Sequence, residues 1–151
     1  MEEQLELPLE FDTVPGTPVV TVTKRYDWDM GHRLPDHGGK CRRLHGHRYT
    51  AEIDITGRVC TDGMVVDFGD LKQVLEQRIG AWDHRCMLHD KDQLMSNYKP
   101  EAQDLWGVFR VPFIPTAENI AVEVLRLLRV DFNVTRVRIY ETPNGWAEVR
   151  A

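Results

Sequence analysis

The order of apolar patterns along the chain is the feature that most limits its possible folds. Alternation of apolar and polar residues predicts strands over residues 19–28 and 45–57, and again over 134–141 and 146–149. Between these pairs, helical spacing follows Asp67 and again Thr116, with irregular chain predicted over 82–109. Because strands and helices do not alternate, the order predicts an α+β fold with a four-stranded antiparallel sheet and both helices packed on one face. The other face then needs a cover, and oligomerisation is the usual way to supply it.

The ends of these elements carry recognisable capping and turn residues. Asp67 and Thr116 are residue types that cap helix N-termini, and Gly80 is expected to stop the first helix. A short strand is expected over 111–114. Residues 143–145, Pro-Asn-Gly, are typical of a turn that joins two strands into a hairpin.

Length and charge restrict the class of protein. A chain of 151 residues suits one domain, which we place at 19–151, and residues 1–18 are expected to form a flexible tail. The net charge of −5 gives no support for nucleic-acid binding, and no apolar run approaches the length of a membrane span. An odd count of three cysteines favours a reducing compartment over a disulfide framework, so we expect a cytoplasmic protein.

The sequence Leu44–His47, read LHGH, predicts a metal site. Side chains two residues apart in a strand share a face, so His45 and His47 can point at one ion. If the first two strands pair as a hairpin, His32 lies near both. Three imidazoles suit a zinc ion and leave one position open, as in catalytic sites. The alternative is that these are ordinary surface histidines on a polar strand face.

Cys41 and its basic neighbours allow two interpretations. Cys41 could be a fourth ligand that closes a structural zinc site, or a free thiol that acts as base or nucleophile. Lys40, Arg42 and Arg43 favour the second, because cationic neighbours stabilise a thiolate. The same three residues could bind an anionic group such as a phosphate, or form an ordinary solvated basic loop.

Two acidic positions add candidates for catalysis and binding. Asp83 precedes His84, and a carboxylate beside an imidazole is the arrangement of a general acid–base pair. Glu141 and Thr142 end a predicted strand, where a carboxylate could accept two N–H groups from a guanine-type or pterin ring. Taken locally, an exposed helix-end histidine and a rim salt bridge explain these residues as well.

Five segments in this order make the chain resemble the 6-pyruvoyl-tetrahydropterin synthase and 6-carboxy-5,6,7,8-tetrahydropterin synthase family. The likeness spans residues 22–150 and rests on GHRLPDHGGKCRRLHGHRYTAEIDITG, GMVVDFGDLK, WDH, PTAENIA and YET. It implies a tunnelling fold, in which the sheets of several subunits join into a barrel. It also implies trimers that pair into hexamers, with active sites at subunit boundaries.

The resemblance assigns a role to each candidate residue. It implies zinc binding by His32, His45 and His47, and a catalytic role for Cys41 with the acid–base pair Asp83 and His84. It makes Glu141 the pterin anchor. The contact of Lys40, Arg42 or Arg43 with a triphosphate is our own assignment.

The spacing CRRLHGH, with Cys41 four positions before His45, resembles the 6-carboxy branch. That branch converts 7,8-dihydroneopterin triphosphate on the route to 7-deazaguanine nucleosides such as queuosine. The sequence after His84, RCMLHDKD, and the length of residues 91–109 depart from the family pattern, and these departures concern the loops around the pocket and not the three histidines.

Overall fold

Six strands form one mixed sheet in the computed structural model, which describes residues 13–151. The strands are β1 (Val19–His32), β2 (His45–Arg58), β3 (Arg85–His89), β4 (Val108–Val111), β5 (Val134–Thr142) and β6 (Gly145–Arg150). The helices are α1 (Phe68–Ile79), α2 (Pro100–Leu105) and α3 (Ala117–Leu128). Short 3-10 helices cover Lys40–Arg42 and Gly80–Trp82. The order across the sheet is β4-β3-β1-β2-β5-β6.

The long β1–β2 hairpin is the centre of the sheet and determines where the site lies. The two strands pair antiparallel along their full length, from Val19 opposite Arg58 to His32 opposite His45. β5 continues on the far side of β2, and β6 returns from the tight turn after Thr142, so the predicted hairpin is confirmed. The four predicted strands are present, and they pair as predicted, β1 with β2 and β5 with β6. β1 is four residues longer than expected.

One face of the sheet carries the core. Apolar side chains alternate with polar ones along β1 and β2, so their buried members share a face. α1 packs against β1 and α3 against β5 and β6, which confirms two helices on one face. The predicted caps are also confirmed: the Asp67 side chain accepts from the Gly69 amide at 2.6 Å, and the Thr116 hydroxyl from the Asn119 amide at 3.2 Å. The core includes Trp28, Tyr49, Ile53, Leu71, Leu75, Ile120, Val124 and Ile139.

The expectation of a four-stranded antiparallel sheet and an irregular segment over 82–109 is wrong. β3 pairs parallel with β1, and β4 pairs parallel with β3, so the sheet is mixed and has six strands. β3 has five residues, β4 four and α2 six, which is too short to display a period. The strand expected over 111–114 instead ends at Val111. Buried parallel strands also lack the alternation that identifies exposed antiparallel ones.

The start of the described chain contacts the end of β2. Thr13 forms a bridge with Cys60, and the Val14 amide donates to the Val59 carbonyl at 3.0 Å. The rest of the predicted tail, residues 1–12, lies outside the described part, and the domain boundary at residue 19 stays a prediction. Among the described residues, no helix combines the length and the apolar character needed to cross a lipid bilayer.

Candidate metal centre and surrounding pocket

Three histidines converge at the closed end of the β1–β2 hairpin. His32 lies directly opposite His45, and His47 is two residues further along β2 on the same face. The ring nitrogens available to a metal ion lie within 4.8 Å of one another, and the two Nε2 atoms of His32 and His45 are 3.1 Å apart. The predicted meeting of these three side chains is therefore present. Gly46 permits it, because a Cβ there would lie 3.2 Å from the Met30 carbonyl oxygen.

Two backbone carbonyls orient the imidazoles. His32 Nδ1 lies 2.7 Å from the Pro115 carbonyl oxygen, and His45 Nδ1 lies 2.7 Å from that of Arg43. Each Nδ1 therefore carries the proton and donates it, which leaves the Nε2 lone pair of each ring free. Two lone pairs that face each other at 3.1 Å repel unless a cation lies between them.

The local electrostatics favour the neutral form of His32 and His47. Burial is the largest of the effects that lower the pKa of His32 to about 4; the Pro115 hydrogen bond opposes it, and the neighbouring His45 and His47 act in the same direction as burial. Burial, followed by the effect of His45, also lowers the pKa of His47. Neutral imidazoles are the form that binds metal, and three of them, two with oriented lone pairs, fit a divalent ion such as Zn²⁺.

Cys41 lies beside this centre on the 3-10 helix Lys40–Arg42 in the hairpin loop. A cavity of about 390 Å³ brings Cys41 together with His45 and His47, and Lys40 and Arg43 line it as well. Among residues 13–151, the group of three or more possible ligand atoms that all lie within 4.8 Å of one another consists of His32, His45 and His47, and the Cys41 sulfur is not part of it. This geometry suits a free thiol in the pocket better than a fourth ligand.

Asp83 and His84 form a hydrogen-bonded pair at the start of β3. Asp83 Oδ2 lies 2.9 Å from His84 Nδ1, and Asp83 Oδ1 accepts from the Asp29 amide at 2.8 Å. The Asp29 hydrogen bond, with a smaller contribution from His84, holds the pKa of Asp83 below its usual value. His84 adopts a φ of +60°, a conformation that non-glycine residues rarely adopt, and its ring is largely exposed. The pair is thus held by backbone contacts and presents its imidazole to solvent.

Glu141 and Thr142 end β5 on the other side of the histidines. Both line a cavity of about 610 Å³ together with His47, and Glu141 Oε1 lies 3.7 Å from His32 Nε2. The Glu141 side chain is 31% exposed. Burial raises its pKa, and the carboxylate of Glu118 on α3 raises it further. A carboxylate in this position is available at the mouth of the cavity and close to the metal centre.

His47 lies where these regions meet. It lines the cavity of Cys41, that of Glu141, and a third, open cavity of about 420 Å³ that contains His84 and Trp106. The sequence reasoning missed Trp106, which follows the short helix α2, and the orienting carbonyls of Arg43 and Pro115. A carbonyl belongs to every residue, so the residue types give no signal for those two groups.

Comparisons with known proteins identify relatives of this chain. The family model described as 6-pyruvoyl tetrahydropterin synthase matches residues 21–151. A 6-carboxy-5,6,7,8-tetrahydropterin synthase of Rickettsia conorii is 39% identical over 142 residues, which cover 87% of this chain and 100% of the relative. The protein of the same name from Haemophilus influenzae is 34% identical, with 84% of this chain and 96% of the relative covered.

Solved structures show the same architecture. An uncharacterized protein from Wolinella succinogenes superposes with a TM-score of 0.77 at 24% identity, covering 89% of this chain and 99% of that one. The 6-pyruvoyl tetrahydropterin synthase of Caenorhabditis elegans gives a TM-score of 0.66 at 25% identity, covering 89% and 97%. The α+β sheet with its helices is therefore the tunnelling fold, as the sequence predicted. With the match to the family model over residues 21–151, the chain belongs to the 6-pyruvoyl tetrahydropterin synthase family.

Proposed function

We propose that the protein is a zinc-dependent carbon–carbon lyase, a 6-carboxy-5,6,7,8-tetrahydropterin synthase. Its substrate is 7,8-dihydroneopterin triphosphate, its other products are acetaldehyde and triphosphate, and its pathway is the biosynthesis of 7-deazaguanine nucleosides such as queuosine. The observation that carries the proposal is the convergence of three imidazoles beside Cys41. The relatives at 34–39% identity that bear this name support the choice of branch.

His32, His45 and His47 would hold the zinc ion. When bound, zinc supplies Lewis-acid polarisation of the hydroxyl groups on the substrate side chain. The Pro115 and Arg43 carbonyls keep the rings in the required tautomer. Among the described residues, this group supplies three ligand atoms, one from each histidine. A tetrahedral zinc ion bound by three protein ligands would keep a coordination position for a substrate oxygen.

Cys41 and His84 move protons in this proposal. The Cys41 thiolate removes a proton from the side-chain carbon next to the ring, and His84, oriented by Asp83, carries protons to the ring and the side-chain oxygens. The ring gains two hydrogens while the side chain is oxidised, so no external reductant is needed. Triphosphate leaves from the terminal carbon of the side chain, which becomes a methyl group, and water adds as the carbon–carbon bond breaks, which leaves a carboxylate on the ring and releases acetaldehyde.

Glu141 and Thr142 bind the pterin ring, and the basic residues meet the triphosphate. The half-buried Glu141 carboxylate accepts from the amidine-like edge of the ring, and Thr142 lines the same cavity. Lys40 and Arg43 line the cavity of Cys41, where a triphosphate attached to the reacting side chain would lie. Arg42, on the same 3-10 helix, is the third candidate for that contact.

We further propose that trimers of this chain pair into hexamers with active sites at subunit boundaries. On one chain, the cavities around His47 are open, and the pair Asp83–His84 faces solvent. The sheet face opposite the helices carries a network of ion pairs, among them Arg136 to Asp54 at 2.6 Å and Arg138 to Glu148 at 2.7 Å. A second subunit would close the pocket and cover this face. Light scattering on the purified protein tests the stoichiometry, and a monomer would contradict it.

Two alternatives remain for the experiment to separate. A 6-pyruvoyl-tetrahydropterin synthase would eliminate triphosphate but keep the carbon chain, and the family model and the C. elegans structure bear that name. A non-catalytic zinc-stabilised assembly module would require Cys41 to close the site, whereas the cysteine lies outside the histidine group among the described residues.

The test is to incubate zinc-loaded protein with 7,8-dihydroneopterin triphosphate and identify the products by mass spectrometry. We expect 6-carboxy-5,6,7,8-tetrahydropterin and acetaldehyde. A pyruvoyl product without acetaldehyde would favour the first alternative, and unchanged substrate would favour the second. Cys41→Ala should retain zinc and lose turnover, while Cys60→Ala, in a partly buried position near the opposite end of β2, should behave like the parent.

A further inference from the structure

An ion pair outside the pocket connects the loop after β3 to the loop that carries Cys41. The Asp92 side chain is fully buried, and it accepts from Arg33 Nε at 2.6 Å through one oxygen and from Arg33 Nη2 at 2.5 Å through the other. Asp92 Oδ1 also accepts from the Leu94 amide at 2.8 Å. Two parallel N–H groups on one carboxylate fix the plane of the guanidinium as well as its charge.

The third edge of the same guanidinium reaches the Cys41 helix. Arg33 Nη1 donates to the Arg42 carbonyl at 3.3 Å, and the amide of the next residue, Leu34, donates to the Cys41 carbonyl at 2.9 Å. These contacts hold the 3-10 helix from the side of β1. We call the Asp92–Arg33 pair and its contact with the Arg42 carbonyl the clamp. Because Arg33 directly follows His32, the same stretch of backbone carries a proposed metal ligand and the arginine of the clamp.

The residue that follows the Cys41 helix contacts one of the proposed metal ligands. The Arg43 carbonyl, one residue past the helix, accepts from His45 Nδ1 at 2.7 Å. A shift of the helix would therefore move both the Cys41 sulfur and the His45 ring. The hydrogen bond from Arg33 to the Arg42 carbonyl is therefore one of the contacts that position the thiol relative to the three histidines.

A second arginine fixes Asp92 from the far side. Arg110 on β4 donates from Nη1 to the Asp92 carbonyl at 2.8 Å and from Nη2 to the Leu94 carbonyl at 3.0 Å. The loop after β3 is thus fastened to the outer strand of the sheet. Through Arg110, strand β4 thereby supports the loop whose carboxylate binds Arg33.

We infer that Asp92 is a positioning residue that acts through Arg33 to hold Cys41 at its working distance from the histidine cluster. The inference rests on the proposed function for the meaning of that distance, but the contacts themselves do not. A misplacement of about 1 Å at a reacting group can cost roughly 100-fold in rate. A loosened clamp should therefore lower turnover more than substrate binding.

Two variants test the clamp on the zinc-loaded, full-length protein. Asp92→Asn removes the charge that pairs with Arg33, and Arg33→Lys keeps the positive charge but cannot bond to Asp92 and the Arg42 carbonyl together. Asp131→Asn is the control, because Asp131 accepts two N–H groups from Arg78 at a site remote from Cys41. Circular dichroism and zinc content establish that each variant is folded and loaded.

The first readout is the rate at which iodoacetamide alkylates Cys41, followed by peptide mass spectrometry with Cys60 as internal reference. We expect Cys41 to react at least about threefold faster in both clamp variants, with Cys60 and the control variant unchanged, because local opening exposes the thiol. The second readout is turnover: kcat should fall about tenfold or more, with KM within about twofold. The alkylation readout needs no substrate, so it tests the clamp even if the proposed reaction is wrong.

Unchanged Cys41 alkylation in folded Asp92→Asn and Arg33→Lys would overturn the inference. Equal acceleration at Cys60, or equal acceleration of Cys41 in Asp131→Asn, would also overturn it, since either result means general loosening. If Asp92→Asn does not fold, Arg33→Lys alone decides the question. If the wild-type protein forms no product, the proposed function is refuted. The alkylation rates then still test the clamp by themselves.

Discussion

Replacing Glu141 with glutamine should weaken pterin binding strongly while leaving the metal centre in place. Glu141 lies at the end of β5, where its carboxylate lines the largest of the cavities around the histidines. A carboxylate accepts two N–H groups from the amidine-like edge of a pterin, whereas an amide accepts one and turns its own N–H₂ group toward the other donor.

The magnitude follows from the shielding of that side chain. The Glu141 side chain is 31% exposed, so most of its surface is screened from water. A hydrogen bond to a charged group contributes about 1.5–3 kcal/mol, and loss of one or part of two gives about 2–4 kcal/mol. At about 1.4 kcal/mol per tenfold, Glu141→Gln should weaken binding roughly 30- to 700-fold.

The assay uses 7,8-dihydroneopterin, which lacks the triphosphate and so isolates the contacts of the ring. Its dissociation constant is measured by equilibrium dialysis on zinc-loaded protein. Zinc content is checked in parallel, because Glu141 Oε1 lies 3.7 Å from His32 Nε2. Glu118→Gln is the matched control: it removes a nearby carboxylate that raises the pKa of Glu141, without touching the proposed ring contact.

We expect Glu118→Gln to bind the ring at least as well as the parent, because Glu141 then ionises more readily. Wild-type affinity in Glu141→Gln would refute the anchoring role. An equal loss in both variants would show that the general negative field, and not a specific pair of hydrogen bonds, holds the ring.

Three further predictions concern the metal, the hairpin and acid stability. His47→Ala should lower zinc affinity at least about 100-fold in competition with a chromophoric chelator. The control His37→Ala changes an exposed histidine of the loop between β1 and β2 and should match the parent. Equal effects of the two changes would exclude His47 as a ligand. Gly46→Ala places a Cβ 3.2 Å from a carbonyl of the facing strand, so the free energy of unfolding in urea should fall by about 1–2 kcal/mol. An unchanged value would show that the facing strand moves away from the new methyl group without cost. The hydrogen bond from Arg136 lowers the pKa of Asp54, so the ionised pair stabilises the fold above the unfolded pKa and is lost as pH falls through the folded one. The stability difference between the parent and Asp54→Asn should therefore shrink between about pH 5 and about pH 2, and a constant difference would contradict the assignment.

The central hairpin and the cluster of three histidines could be predicted because their signals are local and periodic. Alternation over β2 fixes which of its residues share a face, and a hairpin then forces His32 to meet His45. The caps Asp67 and Thr116 follow from side-chain chemistry that acts over two or three residues. The roles of Cys41, Asp83, His84 and Glu141 came from resemblance, and they stay predictions until variants are assayed.

The edge of the sheet could not be predicted because its pairing is set by partners far along the chain. β3 and β4 are short. The place of β3 beside β1 depends on parallel contacts such as His32 with Met87, and β4 pairs in turn with β3. The buried pair Arg33–Asp92 joins residues 59 positions apart, and neither side chain differs locally from an ordinary surface charge. Interactions of this kind become visible only when the whole fold is assembled.

The contact between His32 and the Pro115 carbonyl has a consequence for the order of assembly. The three imidazoles come from one hairpin and could capture a metal ion early, while the carbonyl that sets the His32 tautomer is 83 positions away. A nascent hairpin should therefore bind zinc with low affinity, and docking of the segment before α3, which contains Pro115, should raise that affinity. Because a ligand that prefers the native state stabilises it by mass action, metal retention would then report completion of the tertiary structure, and chelators would act on the protein as denaturants.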